Sequence, residues 1–333
     1  MGLREYIIRR IITTLILIWG VLTINFLLFN AMPGNPMEAY LQNPSIAMNK
    51  EYVEELKRIF GIGLPLHEKY AKYMINMLTF NFGHTSPNFA GQKVTDIIFG
   101  IALPNTILLM GISSVLAYTI GIILGVFTAY KRGSKFDTFF VASALITSSL
   151  PTFWMGLIVQ YIFGFTLKLF PIQGTYTVEK VAELSKNPIL FWMDRFQYLV
   201  LPVMVITLYY YGGFLLLTRA CLLEVISEDY MITAKAKGVK KRDMLFKHAL
   251  KNASLPILTN IAMHFASVVI AGAMIAESVF NYCGLGTITY KAIGMKETPI
   301  LQAIFYIISL CVIIANFIAD ILYGIIDPRV RYE

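Results

Sequence analysis

The fold class this sequence predicts is an all-α, polytopic membrane protein with six transmembrane helices, and three observations predict it. Residues 11–31, 103–130, 139–167, 198–217, 255–276 and 300–326 form six apolar runs, each near or above the ~20 residues a helix needs to cross a hydrocarbon core. Of 333 residues, 57% are hydrophobic and only 14% charged, the balance of a chain solvated by lipid. Basic residues gather on alternate connections: Arg4, Arg9 and Arg10 before the first run, Lys131, Arg132 and Lys135 after the second, an island at 228–256 after the fourth, and Arg329 with Arg331 after the last. Threading six spans puts all of these on one side, and the positive-inside rule makes that side, with both termini, the cytoplasm. Inside lipid each run must be helical, because an open chain leaves its backbone polar groups unsatisfied.

Taken in order, the amino terminus has the basic start of a signal peptide, but its apolar core is too long and ends at Met32-Pro33-Gly34-Asn35-Pro36 without a small-x-small site. It reads as an uncleaved first span, so residues 1–32 form one segment. Residues 33–102 form an extracytoplasmic helical segment of mixed charge. Asn49 is placed to cap a helix through Phe60, with Val53 and Leu56 on one face, and a second helix runs from Leu66 to Leu78. Residues 103–333 form a five-helix core. Pro104 opens the second span in its first turn, where a missing N–H costs nothing, and Gly121 and Gly125, four apart, allow a close helix approach. In the third span Pro151 frees a carbonyl that neighbouring Ser and Thr hydroxyls can reoccupy, kinking a helix of the sort that lines a path. Pro188 and Pro202 bracket the start of the fourth span, and Arg219 at its end is expected to anchor at inner headgroups. His264 lies near the middle of the fifth, where an imidazole is either a functional group or a hydrogen-bond partner to another helix.

The polar island carries the densest charge in the chain. Ala234, Lys235 and Ala236 favour helix, Gly238 breaks it, and a second helical pattern from Lys240 to Lys251 places Leu245, Ala249 and Asn252 near one face. A helix, a glycine elbow and a helix, pinned between two spans, form an element that projects into the cytosol. As a basic juxtamembrane loop it also sets orientation and meets anionic lipid.

The island resembles the EAA loop of binding-protein-dependent ABC importer permeases, most closely the first (B-type) permease of the dipeptide, oligopeptide and nickel group. Thr233, Ala234, Ala236, Lys237, Gly238, His248, Ala249, Leu250, Asn252, Ala253 and Pro256 fall on that motif, with Ile232 where the general importer motif has Glu. Weaker likenesses run from Arg9 to Arg331. They include Leu103-Pro104-Asn105-Thr106, Ser149 with Pro151, Phe153 and Trp154, and Thr218-Arg219-Ala220. They continue with Glu277, Val279, Phe280, Gly284, Leu285 and Gly286, where Cys283 replaces a proline, and with the closing Asn316, Asp320, Tyr323, Asp327-Pro328-Arg329.

The resemblance implies a type I importer permease fold. It implies pairing with a second, homologous permease, two cytosolic ATP-binding subunits and an extracytoplasmic substrate-binding protein. It also implies that loop 219–254 couples to the ATPases through Glu228, Asp229, Tyr230, Thr233, Ala234, Lys235, Ala236, Lys237, Gly238, Arg242, Phe246 and His248. Ser149, Pro151, Phe153, Trp154, His264 and Glu277 are the residues expected along the translocation path.

Other chemistry finds no footing in the sequence. No Gly-x-x-x-x-Gly-Lys-Ser/Thr loop occurs to cradle ATP, so fuel is handled by partners. His67, His84, His248 and His264 show no metal-ligand spacing and belong to no nucleophile and base set, so no enzyme, cofactor or metal is expected. The net charge of +8 sits on loops that the orientation rule explains, which leaves nothing for nucleic acid. Cys221, Cys283 and Cys311 are scattered and suggest no disulfide framework. Asp320 is the one acid well inside a span, which argues against an ion-coupled secondary transporter. A scaffold that binds the ATPases and moves nothing is a further rival. The expected function is peptide import, with nickel or metal-chelate import as the alternative.

Overall fold

The computed structural model describes residues 3–32, 50, 51, 53, 54, 57, 61–86, 89, 91–184, 186–240, 243–268 and 272–326. The Pro33–Pro36 exit, Asn49 and Phe60 of the expected outer helix, Arg242 and the Asp327-Pro328-Arg329 ending lie outside the described residues. Among the described residues the regular structure is helical, apart from a lone antiparallel bridge between His84 and Lys93.

The helices are α1 (Leu3–Ala31), α2 (Leu66–Leu78), α3 (Val94–Tyr130), α4 (Lys135–Ser149) and α5 (Thr152–Thr166). They continue with α6 (Pro188–Ile226), α7 (Asp229–Ala236), α8 (Leu250–Val268), α9 (Gly272–Val279), α10 (Leu285–Gly294) and α11 (Thr298–Ile326). Four of them, α1, α3, α6 and α11, hold stretches long and apolar enough to cross a membrane among the described residues. The number becomes five if α4 and α5, bent by 105° at their junction, count as one span. The expected run at 255–276 is carried by α8 and α9, with residues 269–271 between them undescribed.

Local chemistry sets the helix ends. Ser134 caps α4 by accepting from the Asp137 N–H at 3.3 Å. The helix stops at Leu150, which adopts an extended conformation because Pro151 disfavours a helical residue before it. The expected kink is therefore a full break. The hydroxyls of Ser148 and Ser149 both donate to the Leu145 carbonyl near it. At α6, Asn187 accepts from the N–H groups of Ile189 and Leu190 and Pro188 occupies the first turn. Pro202 is an interior residue of the same helix, which begins ten residues before the apolar run at 198.

The chain divides into two compact units. The first takes Met1–Thr106, Val269–Met274 and Cys283–Glu333. In it α1 packs along α11, with Leu22, Phe26 and Phe29 against a core that includes Ile300, Ile304 and Ile307, and Tyr73 and Met77 of α2 cover its edge. Polar stitches fix the register. The Asn25 side-chain amide donates to Gln302 O at 3.1 Å, the Tyr6 hydroxyl donates to Asp320 O at 3.0 Å, and Arg10 pairs with the Asp320 carboxylate at 2.9 Å. The other face of α1 leaves Leu15, Ile16 and Ile24 about 60% exposed, as a lipid-facing helix does.

The second unit holds Ile107–Val268 and Ile275–Tyr282. Here α6 is the central helix, packed by α4, α5 and α8. A Cβ on Gly121 would lie 2.7 Å from Tyr211 O, and one on Gly125 would lie 2.6 Å from the Thr218 Cβ. The expected close approach of α3 is thus made, and α6 is what it approaches.

Candidate functional site

The island leaves α6 through a short turn, with Ser227 N–H bonded to Glu224 O and Glu228 N–H to Val225 O. The eight residues of α7 follow at once. Among those whose side chains are described, Met231 alone is buried, 2% exposed, in a cluster with Val126, Ala129, Leu222, Leu245, Ala249, Ala253 and Ile257. Glu228, Asp229, Tyr230, Ile232, Thr233, Ala236, Lys237 and Gly238 are exposed. An apolar anchor inward and a mixed face outward is what a short helix needs to stay on the protein while presenting itself to something else. Tyr230 is also held from below, its hydroxyl accepting from the Asn252 side-chain amide at 2.7 Å. The side chains of Ala234, Lys235, Phe246 and His248 lie outside the described residues.

Gly238 makes the elbow, with φ at +74°. This is the left-handed region that a Cβ disfavours. The second helical stretch is wound as a π-helical turn over Met244–Ala249 before it becomes α8, where a uniform helix was expected from Lys240. Leu245, Ala249 and Ala253 nevertheless share the buried face. Asn252 reaches the other way, to Tyr230.

Arg219 differs from its expectation. It is not presented to headgroups: its Nε lies 2.8 Å from Asp137 Oδ1 and its Nη2 2.9 Å from Asp137 Oδ2. The planar fork of the guanidinium matches the carboxylate edge to edge. Met231 and Asp137 were not singled out in the sequence. A signal for Asp137 was present, since Ser134 followed three residues later by an acid is a capping-box spacing. Met231 carried none beyond being apolar in a polar run.

The residues expected along a path fall into three places in the second unit. Ser149, Pro151, Phe153 and Trp154 cluster at the break between α4 and α5, with Phe153 and Trp154 nearly half exposed. His264 on α8 shares its Nδ1 with the Tyr118 hydroxyl at 2.7 Å and meets the rings of Tyr118, Tyr210 and Phe214 edge-on. Glu277 on α9 is fully buried. The helix carrying the first group does meet the end of α9, where a Cβ on Gly156 would stand 3.0 Å from Val279. The sharp turn after α9 is made by Asn281, φ +44°, with Tyr282 N–H bonded back to Glu277 O at 2.8 Å. Neither nearby glycine supplies it, since Gly284 is an extended cap and Gly286 lies inside α10.

In the first unit, Cys283 O accepts from the Asn105 side chain at 2.6 Å, and Leu285 N–H donates to the Thr106 hydroxyl at 2.8 Å. These bonds tie down the turn at the position where a proline was missing. Glu297, fully buried just before α11, accepts from both the N–H and the hydroxyl of Ser86 and so pins the outer segment. Neither residue stands out in the sequence. Among the described residues no three of His, Cys, Asp or Glu gather as metal ligands.

Comparison with known proteins places this geometry among relatives. Residues 121–332 match the family described as binding-protein-dependent transport system inner membrane component, and residues 3–92 match the N-terminal segment of such membrane components. The oligopeptide transport system permease protein AppB of Bacillus subtilis (strain 168) is 34% identical over 98% of this chain and 99% of its own length. A probable peptide ABC transporter permease protein, y4tP, of Sinorhizobium fredii is also 34% identical, over 98% of this chain and 99% of its own. The di/tripeptide transport system permease protein DppB of Pseudomonas aeruginosa (strain UCBPP-PA14) is 31% identical over 99% of each.

Proposed function

The chain belongs to the family of binding-protein-dependent transport system inner membrane components, multi-pass and non-catalytic subunits of ABC transporters, and from that premise we propose that it forms half of an import path for short peptides. The full-length likeness to permeases named for oligopeptides and for di- and tripeptides supports the substrate class. Six spans complete the path, with the bent pair α4 and α5 as the third and α8 with α9 as the fifth. Both termini lie in the cytoplasm. A second permease supplies the other half, two cytosolic ATPases supply the energy, and an external binding protein delivers the peptide.

The observation that carries the mechanism is α7. Its described residues other than Met231 are exposed, and it is fixed by Met231 and by the Asn252–Tyr230 bond. It follows α6 after only Ser227 and Glu228. A groove on an ATPase that grips Tyr230, Ile232 and Lys237 moves α7, and α7 moves the end of α6. Closing and opening of the ATPases then alternates access between the two sides. Residues 33–102 shape the outer mouth, and the core from 103 onward carries the path along Ser149, Pro151, Phe153, Trp154, His264 and Glu277.

The test is uptake by cells with and without this chain, offered labelled short peptides and labelled nickel side by side. Peptide uptake is expected to vanish and to return with the intact chain. Loss of nickel uptake alone would overturn the peptide reading.

A further inference from the structure

We propose that Asp137 and Arg219 are positioning residues that lock α4 to α6, so that a push on α7 reaches the break at Pro151 through two helices moving as one. The proposal rests on the coupling role of α7 given above. Three levels of contact join these helices in antiparallel register. At one end stands the two-bond ion pair, with Asp137 nearly buried, its side chain 6% exposed, and Arg219 25% exposed. The carboxylate is fixed by the turn before its own helix as well, accepting from the Gly133 N–H at 2.9 Å. Further along, the Tyr211 hydroxyl donates to Ser143 Oγ at 3.0 Å. Beside it a Cβ on Gly212 would lie 2.7 Å from Ala144 O, so the two backbones touch.

The position of the pair in the chain gives it its consequence. Arg219 stands two turns before the end of α6, and α7 begins three residues after that end. At its far end α4 stops at the 105° break, where Pro151, Phe153 and Trp154 are exposed. A displacement of α7 that moved α6 alone would leave this break where it was. With the carboxylate and guanidinium engaged, α4 follows, because separating them strands a poorly solvated charge on each helix. The pair also fixes direction: its forked geometry resists sliding of one helix past the other, which a hydrophobic contact permits.

The experiment uses the complete importer in vesicles and reads ATP hydrolysed per solute imported. For Asp137→Asn we expect basal hydrolysis within about twofold of the intact importer and a ratio raised by ~10-fold or more, as for loss of one partner of a buried pair. The double exchange Asp137→Arg with Arg219→Asp should bring the ratio back to within about threefold of the original. A second measurement leaves the pair intact. Spin labels at Phe139 and Ala220, both exposed, are placed in a chain whose three cysteines are serine and followed between the nucleotide-free and ATP-trapped states. Their separation should hold to within about 2 Å, the scale of ordinary helix shifts.

An unchanged ratio in Asp137→Asn, no recovery in the exchange, or a separation that changes by more than about 5 Å would overturn the lock. If Asp137→Asn fails to assemble, the label separation decides alone. The intact importer separates the two readings. Absence of ATP-driven import by it would sink the functional assignment, whereas coupled import by it and by Asp137→Asn alike would sink the ion pair's role only.

Discussion

Gly125 and Gly111 sit on the same helix and predict opposite outcomes. A side chain on Gly125 would meet Thr218 Cβ at 2.6 Å and Leu215 O at 2.8 Å, both on α6, and backbone cannot swing aside as a side-chain tip can. Gly125→Leu should therefore cost ~1–3 kcal/mol or more as overpacking. Around Gly111 nothing lies within 4 Å. Gly111→Ala should gain ~0.5–1 kcal/mol by stiffening the helix. Thermal unfolding of the two variants in detergent checks both, and equal shifts would contradict the packing described. The spacing of Gly121 and Gly125 was legible in the sequence as a close approach. Its partner was not, because the groove that receives it is made of the carbonyls of Tyr211 and Leu215, and backbone atoms carry no sequence signature. Arg219 was misread for a related reason. A cation near a span end suits a headgroup and a buried carboxylate equally well, and only the fold brings Asp137 to it.

At the scale of the element, α7 carries a buried anchor, Met231, and an exposed apolar side chain, Ile232, on a single turn of helix. Met231→Ala empties a site in the cluster around Leu222 and Leu245, at a cost of ~2–5 kcal/mol to the seating of α7. Ile232→Ser removes an exposed apolar side chain and should leave stability within about 0.5 kcal/mol. Both variants should lose the ATPases on co-purification, and only Met231→Ala should also lower the unfolding temperature. Retention of the ATPases by Ile232→Ser would mean that another face is gripped. The helix, elbow and helix pattern was legible because Gly238 and the alanines act locally. The π-helical turn at Met244–Ala249 was not, since which ring size closes depends on how Leu245 and Ala249 seat against their neighbours. The Pro151 break was half legible: proline removes a helix bond and kinks or breaks the helix there, but whether it breaks, and at 105°, depends on what α5 packs against, since α6 runs on through Pro202.

At the scale of the molecule, the apolar runs and their basic flanks made the class of protein plain before any coordinates, and family membership agrees. Less plain was how far the helices outrun the runs. The fourth run covers twenty residues of sequence, 198–217, yet α6 continues for 39 residues, from Pro188 to Ile226. Hydropathy reports only what dissolves in lipid, while capping by Asn187 and packing against α4 and α8 decide where the helix stops. At 1.5 Å per residue α6 is ~58 Å long, nearly twice a ~30 Å hydrocarbon layer. Of its two cations, Arg219 is bound to Asp137 and Arg195 stacks on Phe191 and Trp192. What has to match the layer is the apolar run of twenty residues, ~30 Å at the same rise, and not the whole rod. Import should then be fastest in vesicles whose hydrocarbon layer is near ~30 Å and fall by about twofold or more when the acyl chains are changed by about four carbons, and a flat response would show that tilting of α6 absorbs the mismatch. The lengths of α6 that overrun the apolar run have no lipid to match, so either end of the rod can be lengthened without refitting it to the layer.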